Sequence, residues 1–296
     1  MSTIKSAARR RAFRQFLLDH IRQNTAITVP LDDETTITLD TCLKSNPLKL
    51  SKSAIHHAQW QDTTPSIVKL FYTPNTRQFE TMVSNELAGY ALAKPAGLSI
   101  PKMLTHGPLK QHAAYFVVYE KLPHRPFNFR RSESWQALVA AQQQLFAADV
   151  VQYDNHSSNY LLTPNGIAFI DFSTLRRKPS PRHCFASQRL EYIASIHLLG
   201  QAFRHLPNSS ICRVRTCRLY FDEVFGASYN QAKPLRIALW HIAWLEKLRT
   251  LANNNCQSNT RLIRWKKIGL RYLHTMMSQV FFVLWRCRYR KSCPKR

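Results

Sequence analysis

Three oxygen-bearing side chains stand at a spacing that suits phosphate chemistry. Asp154 and Asn159 lie five apart in a polar stretch, VVQYDNHSSNYLL, that runs into the strand-like Tyr160-Leu161-Leu162. An Asn165-Gly166 turn follows, and then Asp171 behind the apolar run Ala168-Phe169-Ile170. Phosphoryl transfer from ATP needs a carboxylate to orient or deprotonate an acceptor hydroxyl. It also needs an amide oxygen and a second carboxylate to hold Mg²⁺ over the β- and γ-phosphates. D-x(4)-N, a short hairpin, then D-F-S supplies those groups in that order. The first element recurs by chance in many chains; the coupling to the hairpin and to IDFS makes the pattern more specific.

Such a site also needs a cation for the phosphates. Lys69 is a charge inside the apolar strand Ser66-Ile67-Val68-Lys69-Leu70-Phe71, although a lysine on a solvent-facing edge strand would read the same way. The next helix arbitrates. At about 100° per residue from Phe79, Val83 lies near 40°, Tyr90 near 20° and Met82 near −60°. Glu86 falls at about −20°, mid-stripe, and Glu80 at about 100°, on the margin. A carboxylate at the centre of a buried face is costly unless a cation meets it. Lys69 is the natural partner of Glu86, with Glu80 as the fallback.

The elements that must position these residues follow from periodicity and punctuation. Residues 5–22 predict a helix with Phe13, Phe16, Leu17 and Ile21 near one face and Arg9, Arg10, Arg11 and Arg14 around it. TTITLDTCL, KSAIHHAQW and PSIVKLFY are β-rich pieces, followed by a helix over about 76–94 that Pro95 and Gly97 end. AAYFVVYEKL (113–122) reads as a buried strand. Helices are expected over 134–148, 187–205, 213–225, 231–252 and 260–289. The pattern is α+β: an N-terminal basic helical extension (1–34), a β-rich part (35–123) and a helical part (124–296).

The chain resembles the protein-kinase-like fold, and within it the bacterial lipopolysaccharide core kinases that phosphorylate Kdo or heptose. SIVKLFY, NELAGYALAKPAGLSIPK, YFVVYEKL, VVQYDNHSSNYLL and IAFIDFSTLRRKPS carry the resemblance, over about residues 36–205. It implies a two-lobed fold, with ATP and Mg²⁺ as cofactors. It further implies that Lys69 binds phosphates, Glu86 pairs with it, Asp154 is catalytic, and Asn159 and Asp171 hold the metal. The stretch 119–122, with Glu120 and Leu122, would be the adenine-contacting hinge.

The chain departs from the kinase pattern in places. No G-x-G-x-x-G precedes Lys69; the candidate hairpin is 44–51, where Lys44, Lys49 or Ser51 would have to serve instead. Gln152-Tyr153 stands where His-Arg would precede the catalytic aspartate. No A-P-E-like segment follows Asp171, which favours a non-peptide acceptor. Arg176, Arg177, Lys178 and Arg182 follow instead, suited to grip a sugar already bearing phosphate or carboxylate, or else forming a solvated basic loop. Two alternatives stay open: a kinase for another small molecule, and a nucleotide-binding pseudokinase or scaffold.

Composition bounds the partners. Among 296 residues, 42 Lys or Arg face 17 Asp or Glu, a formal charge of +25 that calls for anionic company. No nucleic-acid reader motif is present, so nucleic acid is not expected. The seven cysteines form no C-x-x-C pair and read as reduced thiols. His56 and His57, adjacent in a strand, point to opposite faces and cannot chelate together, and His156 is expected to hydrogen-bond within its loop instead of binding metal. No apolar run follows the basic N-terminus, so no signal peptide is expected, and VFFVLW (280–285) is too short to span a bilayer. Between Lys247 and Arg296 lie thirteen Lys or Arg and no acid. Leu262, Trp265, Gly269, Tyr272, Met276, Val280 and Val283 share one helical stripe, expected to face the core while the basic face meets lipid phosphate. The expectation is a cytoplasmic enzyme, peripheral on the inner membrane of a Gram-negative bacterium, acting on the lipid A-linked core.

Overall fold

A computed structural model describes residues 2–23, 26–31, 35–42, 52–61, 64–153, 159–179, 184–207, 209–225, 232–253 and 260–290. The chain divides into two compact units. The first comprises 1–94, 99–124 and 168–173; the second comprises 95–98, 125–167 and 174–296. The class is α+β, with the strands concentrated in the first unit and the helices in the second.

The first unit is a six-stranded antiparallel sheet of order β1-β2-β3-β4-β6-β5. Its strands are β1 (Ile27–Pro30), β2 (Thr36–Cys42), β3 (Ser53–Trp60), β4 (Thr64–Phe71), β5 (Met103–Leu109) and β6 (Ala114–Glu120). Two of them, β1 and β5, are additions to the expected order. Both are short or interrupted by Gly107-Pro108, so their pattern is weak until a partner strand supplies the ladder. The β4 strand is central, with Lys69 opposite Ile55 on β3 and Val117 on β6. The solvent-facing edge-strand reading of Lys69 therefore fails.

Directly opposed residues share a face of a sheet. Val68 opposes Val118 and Leu70 opposes Phe116, and all four lie in one apolar core with Phe13, Leu17, Val29 and Leu39. Phe13 and Leu17 belong to helix α1 (Ser2–Gln23). That helix is part of this unit's core instead of a separate extension. Arg10, one of the arginines around its apolar face, is 3% exposed and donates to the Ala113 carbonyl and to Thr76 Oγ1. Its guanidinium also lies 4.6 Å from the Phe79 ring centre. Lys69 and Tyr119 occupy the other face of the sheet.

The second unit contains helix α3 (Ser132–Ala147) and helices α4 (Cys184–His205), α5 (Ser210–Phe225), α6 (Ala232–Asn253) and α7 (Thr260–Arg290). Short strands β7 (Arg125–Pro126), β8 (Val150–Gln152), β9 (Tyr160–Thr163), β10 (Gly166–Phe169) and β11 (Leu175–Arg177) lie among them, β10 running on into the first unit. Tyr192, Tyr220, Phe221, Phe282 and Trp285 are all at most 2% exposed and form its aromatic centre. His241 on α6 bonds Tyr192 on α4 (3.2 Å) and Ser278 on α7 (3.1 Å), joining three helices.

One expectation about α7 is overturned. The Gly269-Tyr272-Met276-Val280-Val283 stripe does not face the core; all five are exposed, and Ser278, Phe282 and Trp285 turn inward instead. The side chains of Leu262 and Trp265 lie outside the described residues. Among the described residues no helix is long and apolar enough to cross a membrane.

Candidate active site

Helix α2 (Thr76–Ala93) starts on Asn75, whose side chain accepts from the Gln78 N–H and satisfies one of the helix's free amide groups. Its apolar residues Phe79, Met82, Val83 and Tyr90 are only half-buried, whereas Glu86 is 0% exposed. The carboxylate is therefore more buried than the four large apolar side chains around it. Glu80, the fallback, is exposed.

Lys69 Nζ donates to Glu86 Oε2 at 2.8 Å and to Asp171 Oδ1 at 3.1 Å. Tyr119 donates its hydroxyl to the other Glu86 oxygen at 2.9 Å. The Ser173 hydroxyl (2.8 Å) and amide (3.3 Å) both donate to Asp171 Oδ1. The structure thus brings together Lys69 from the sheet, Glu86 from the helix and Asp171 from the segment after β10, all within the first unit. An ammonium has three donors, and two acceptors meet Lys69 among the described residues.

Charges follow from these contacts. Burial alone would lower the Lys69 pKa, but Glu86 and Asp171 overturn it and hold the ammonium charged well beyond neutral pH. Burial pushes Glu86 upward against the pull of Lys69 and Tyr119. With an ammonium on one oxygen and a phenol on the other, we read Glu86 as the ionised partner of Lys69. Burial also opposes ionisation of Asp171, yet Lys69 and Ser173 bring it below the usual carboxylate range. Tyr119 is pushed well up by burial and by the adjacent Glu86, so it stays a donor.

Two further groups that the sequence reading did not single out complete this cluster. Tyr119, expected in the hinge, opposes Ile67 on the lysine's face of the sheet and so points its hydroxyl at Glu86. Gly89 on α2 lets the helix meet the turn after Asp171: a Cβ there would stand 1.9 Å from the Phe172 carbonyl oxygen. Phe172 itself is 0% exposed and packs edge-on against Tyr90 at 5.2 Å. The signal for Gly89 was present in the sequence, as a glycine in mid-helix one turn from Glu86.

The remaining candidates divide. Glu120 has an exposed side chain and gives its amide to the Lys102 carbonyl (2.9 Å), while the Leu122 carbonyl contacts His124 Nδ1 (2.9 Å). Asn159 is 8% exposed, immediately before β9 in the second unit. Asp154, His156, Arg182 and the 44–51 hairpin with Lys44, Lys49 and Ser51 lie outside the described residues. Arg177 is exposed and Arg176 half-buried, its guanidinium donating to the Leu175 carbonyl. Lys178 is a correction. Its ammonium is buried and donates to Glu191 (2.6 Å) and to the Phe146 carbonyl (2.6 Å), with Asp149 at 3.2 Å. Two hydrogen bonds and an ion pair with Asp149 surround the buried ammonium, so it is a structural tie turned away from any acceptor.

Of the adjacent histidines, His56 is buried and His57 half-buried. His56 is 3% exposed, and burial lowers its pKa to about 4. Among the described residues no group of three or more His, Cys, Asp or Glu gathers as a metal site.

No protein-family model matches the chain, and no curated protein does. Among solved structures it is similar to amicoumacin kinase hAmiN in complex with AMP-PNP, Ca²⁺ and Ami, with a TM-score of 0.48 and 12% identity over 90% of this chain and 93% of that one. At that distance, what this chain does has to be read from its own side chains.

Proposed function

We propose that the chain is an ATP-dependent phosphotransferase that phosphorylates a hydroxyl of a lipopolysaccharide inner-core sugar, heptose or Kdo, at the cytoplasmic face of a Gram-negative inner membrane. The observation that carries the phosphotransferase part is the buried Lys69, held between Glu86 and Asp171. A lysine needed only for packing would be better served by full pairing. Here two carboxylates fix the ammonium's direction and leave one donor for a phosphate oxygen. That is the arrangement by which a sheet lysine steadies a nucleotide's phosphates.

The donor set suits a hard divalent cation. Asp171 is ionised at neutral pH, and Mg²⁺ takes one or two protein carboxylates and completes its shell with water and phosphate oxygens. Asp171 and Asn159 would hold it. Bound there, Mg²⁺ would neutralise charge on the β- and γ-phosphates. Glu86 and Tyr119 keep Lys69 in place, and Ser173 fixes the carboxylate of Asp171. Asp154 would orient the acceptor hydroxyl and receive its proton as the new O–P bond forms and the bond to ADP breaks. For Asp154 and Asn159 the support is sequence spacing.

The acceptor assignment rests on the resemblance to core kinases, on the short stretch after Asp171 and on its cations. Lys178 is committed elsewhere and Arg176 already donates to the Leu175 carbonyl, so the reading of an anionic sugar rests chiefly on the exposed Arg177 and, from the sequence, on Arg182. The deciding experiment is transfer of radiolabel from [γ-³²P]ATP and Mg²⁺ to purified core oligosaccharide. Label should enter the sugar, and Asp171→Asn should abolish it while the protein stays folded. Full activity in Asp171→Asn would defeat the site, whereas label entering only other small hydroxyl compounds would defeat the acceptor alone.

A further inference from the structure

Helix α7 has two apolar faces, and only one is used inside the protein. Ser278, Phe282 and Trp285 are at most 2% exposed. Opposite them, Tyr272 (75%), Met276 (57%), Val280 (45%), Val283 (45%) and Leu284 (50%) stand in solvent. These recur three, four and eight residues apart, so they form one stripe about 18 Å long at 1.5 Å per residue. Single exposed apolar side chains are ordinary, but a continuous stripe implies something that covers it.

Charge selects the occupant. The α7 sequence carries eight Lys or Arg and no acid, within a chain of formal charge +25. A second copy would bring the same sign to the contact. An anionic bilayer brings the opposite sign, and an apolar interior that can take up the stripe. Tyr272, the most exposed member, has the amphipathic ring that settles at headgroup level. The helix is not apolar enough to cross a membrane, so it would lie along the surface.

We propose that the outer face of α7 is a membrane-docking face, with Tyr272, Met276, Val280 and Val283 entering an anionic leaflet whose phosphates the chain's net positive charge attracts. The inference deepens the membrane location in the function proposed above and rests on that part alone. Its test reads binding and not catalysis, so either proposal can fail without the other.

The experiment is co-sedimentation of the full chain with vesicles of phosphatidylethanolamine and phosphatidylglycerol, against vesicles of phosphatidylcholine. Binding should favour the anionic vesicles by about tenfold or more and weaken in high salt. The double variant Met276→Asp with Val280→Asp should lower partitioning by about tenfold or more with unchanged circular dichroism and melting temperature. In a second readout, the added fluorescence of Tyr272→Trp should be quenched by lipids brominated on their acyl chains. Equal binding by parent and double variant, no binding by the parent, or an unquenched Tyr272→Trp would each overturn the proposal. So would a dimer of the parent that the double variant converts to monomer, since a second copy would then be the cover.

Discussion

Among the described residues two lysines are buried, one in each unit, and each faces two carboxylates. Lys178 in the second unit is enclosed by three oxygen atoms: Glu191 and the Phe146 carbonyl accept hydrogen bonds from it, and Asp149 pairs with it at 3.2 Å. Lys69 in the first unit meets two acceptors among the described residues, on a carboxylate that is fully buried and another that is 28% exposed. Burial and pairing alone therefore do not mark a functional lysine. What separates the two among the described residues is the number of oxygen atoms around the ammonium, three at Lys178 against two at Lys69, and not exposure of a partner, since Asp149 is 56% exposed and Asp171 28%.

The largest test of that contrast is substitution of each by methionine. Lys69→Met leaves Glu86 buried without its cation, which costs about 3–5 kcal/mol of stability in urea unfolding. It should also lower phosphate transfer on the order of 10²–10³-fold, read under conditions where the protein is folded. Lys178→Met should cost about 2 kcal/mol and leave the transfer rate per folded molecule intact. Equal loss of activity in both would erase the distinction.

Gly89→Ala comes next. The methyl would overlap the Phe172 carbonyl, so the helix or the turn must shift, at about 3 kcal/mol. An alanine would otherwise help a helix by about 1 kcal/mol, so a gain in stability would show that the close approach is wrong. Tyr119→Phe removes one hydrogen bond to a buried carboxylate and should cost about 2 kcal/mol. Because Lys69 remains, its activity should fall less than in Lys69→Met.

The smallest effect concerns acid. Burial holds His56 and His197 neutral with pKa values lowered to about 4, and His241 lowered to about 3. His274, beside His197, and Arg249 oppose protonation further. An unfolded histidine titrates near 6.5, at about the model-peptide value, so the unfolded chain takes up protons first as pH falls. The stability these groups contribute is fully present above about pH 6.5 and declines toward pH 4. Two of the three sit in the second unit, so amide-exchange protection in α4 and α6 should drop before that of β4. The reverse order would contradict the burial of His197 and His241.

Much of the first unit was legible in the sequence because its signals are local. Glu86 could be placed on the buried stripe of α2 by angle alone, and Lys69 was the sole cation in its strand. Tyr119 was not legible, because an aromatic residue in a buried strand gives no sign of where its hydroxyl goes. The face it occupies is fixed by pairing with Ile67 across β4 and β6. Lys178 failed for a similar reason. In the sequence it is one of four neighbouring cations, and the carboxylates that consume it stand at positions 149 and 191.

Helix α7 marks the limit most clearly. The sequence by itself determined that a long basic helix forms there and which residues share each stripe, because periodicity is a property of the chain. It determined likewise the strand around Lys69, the helix around Glu86 and the hairpin before Asp171. Only the tertiary structure decided which of two apolar stripes turns inward, which lysine is enclosed by three oxygen atoms, and that a glycine admits a carbonyl against α2. Rotation about a helix axis and the meeting of distant groups depend on packing partners, and no local pattern encodes them.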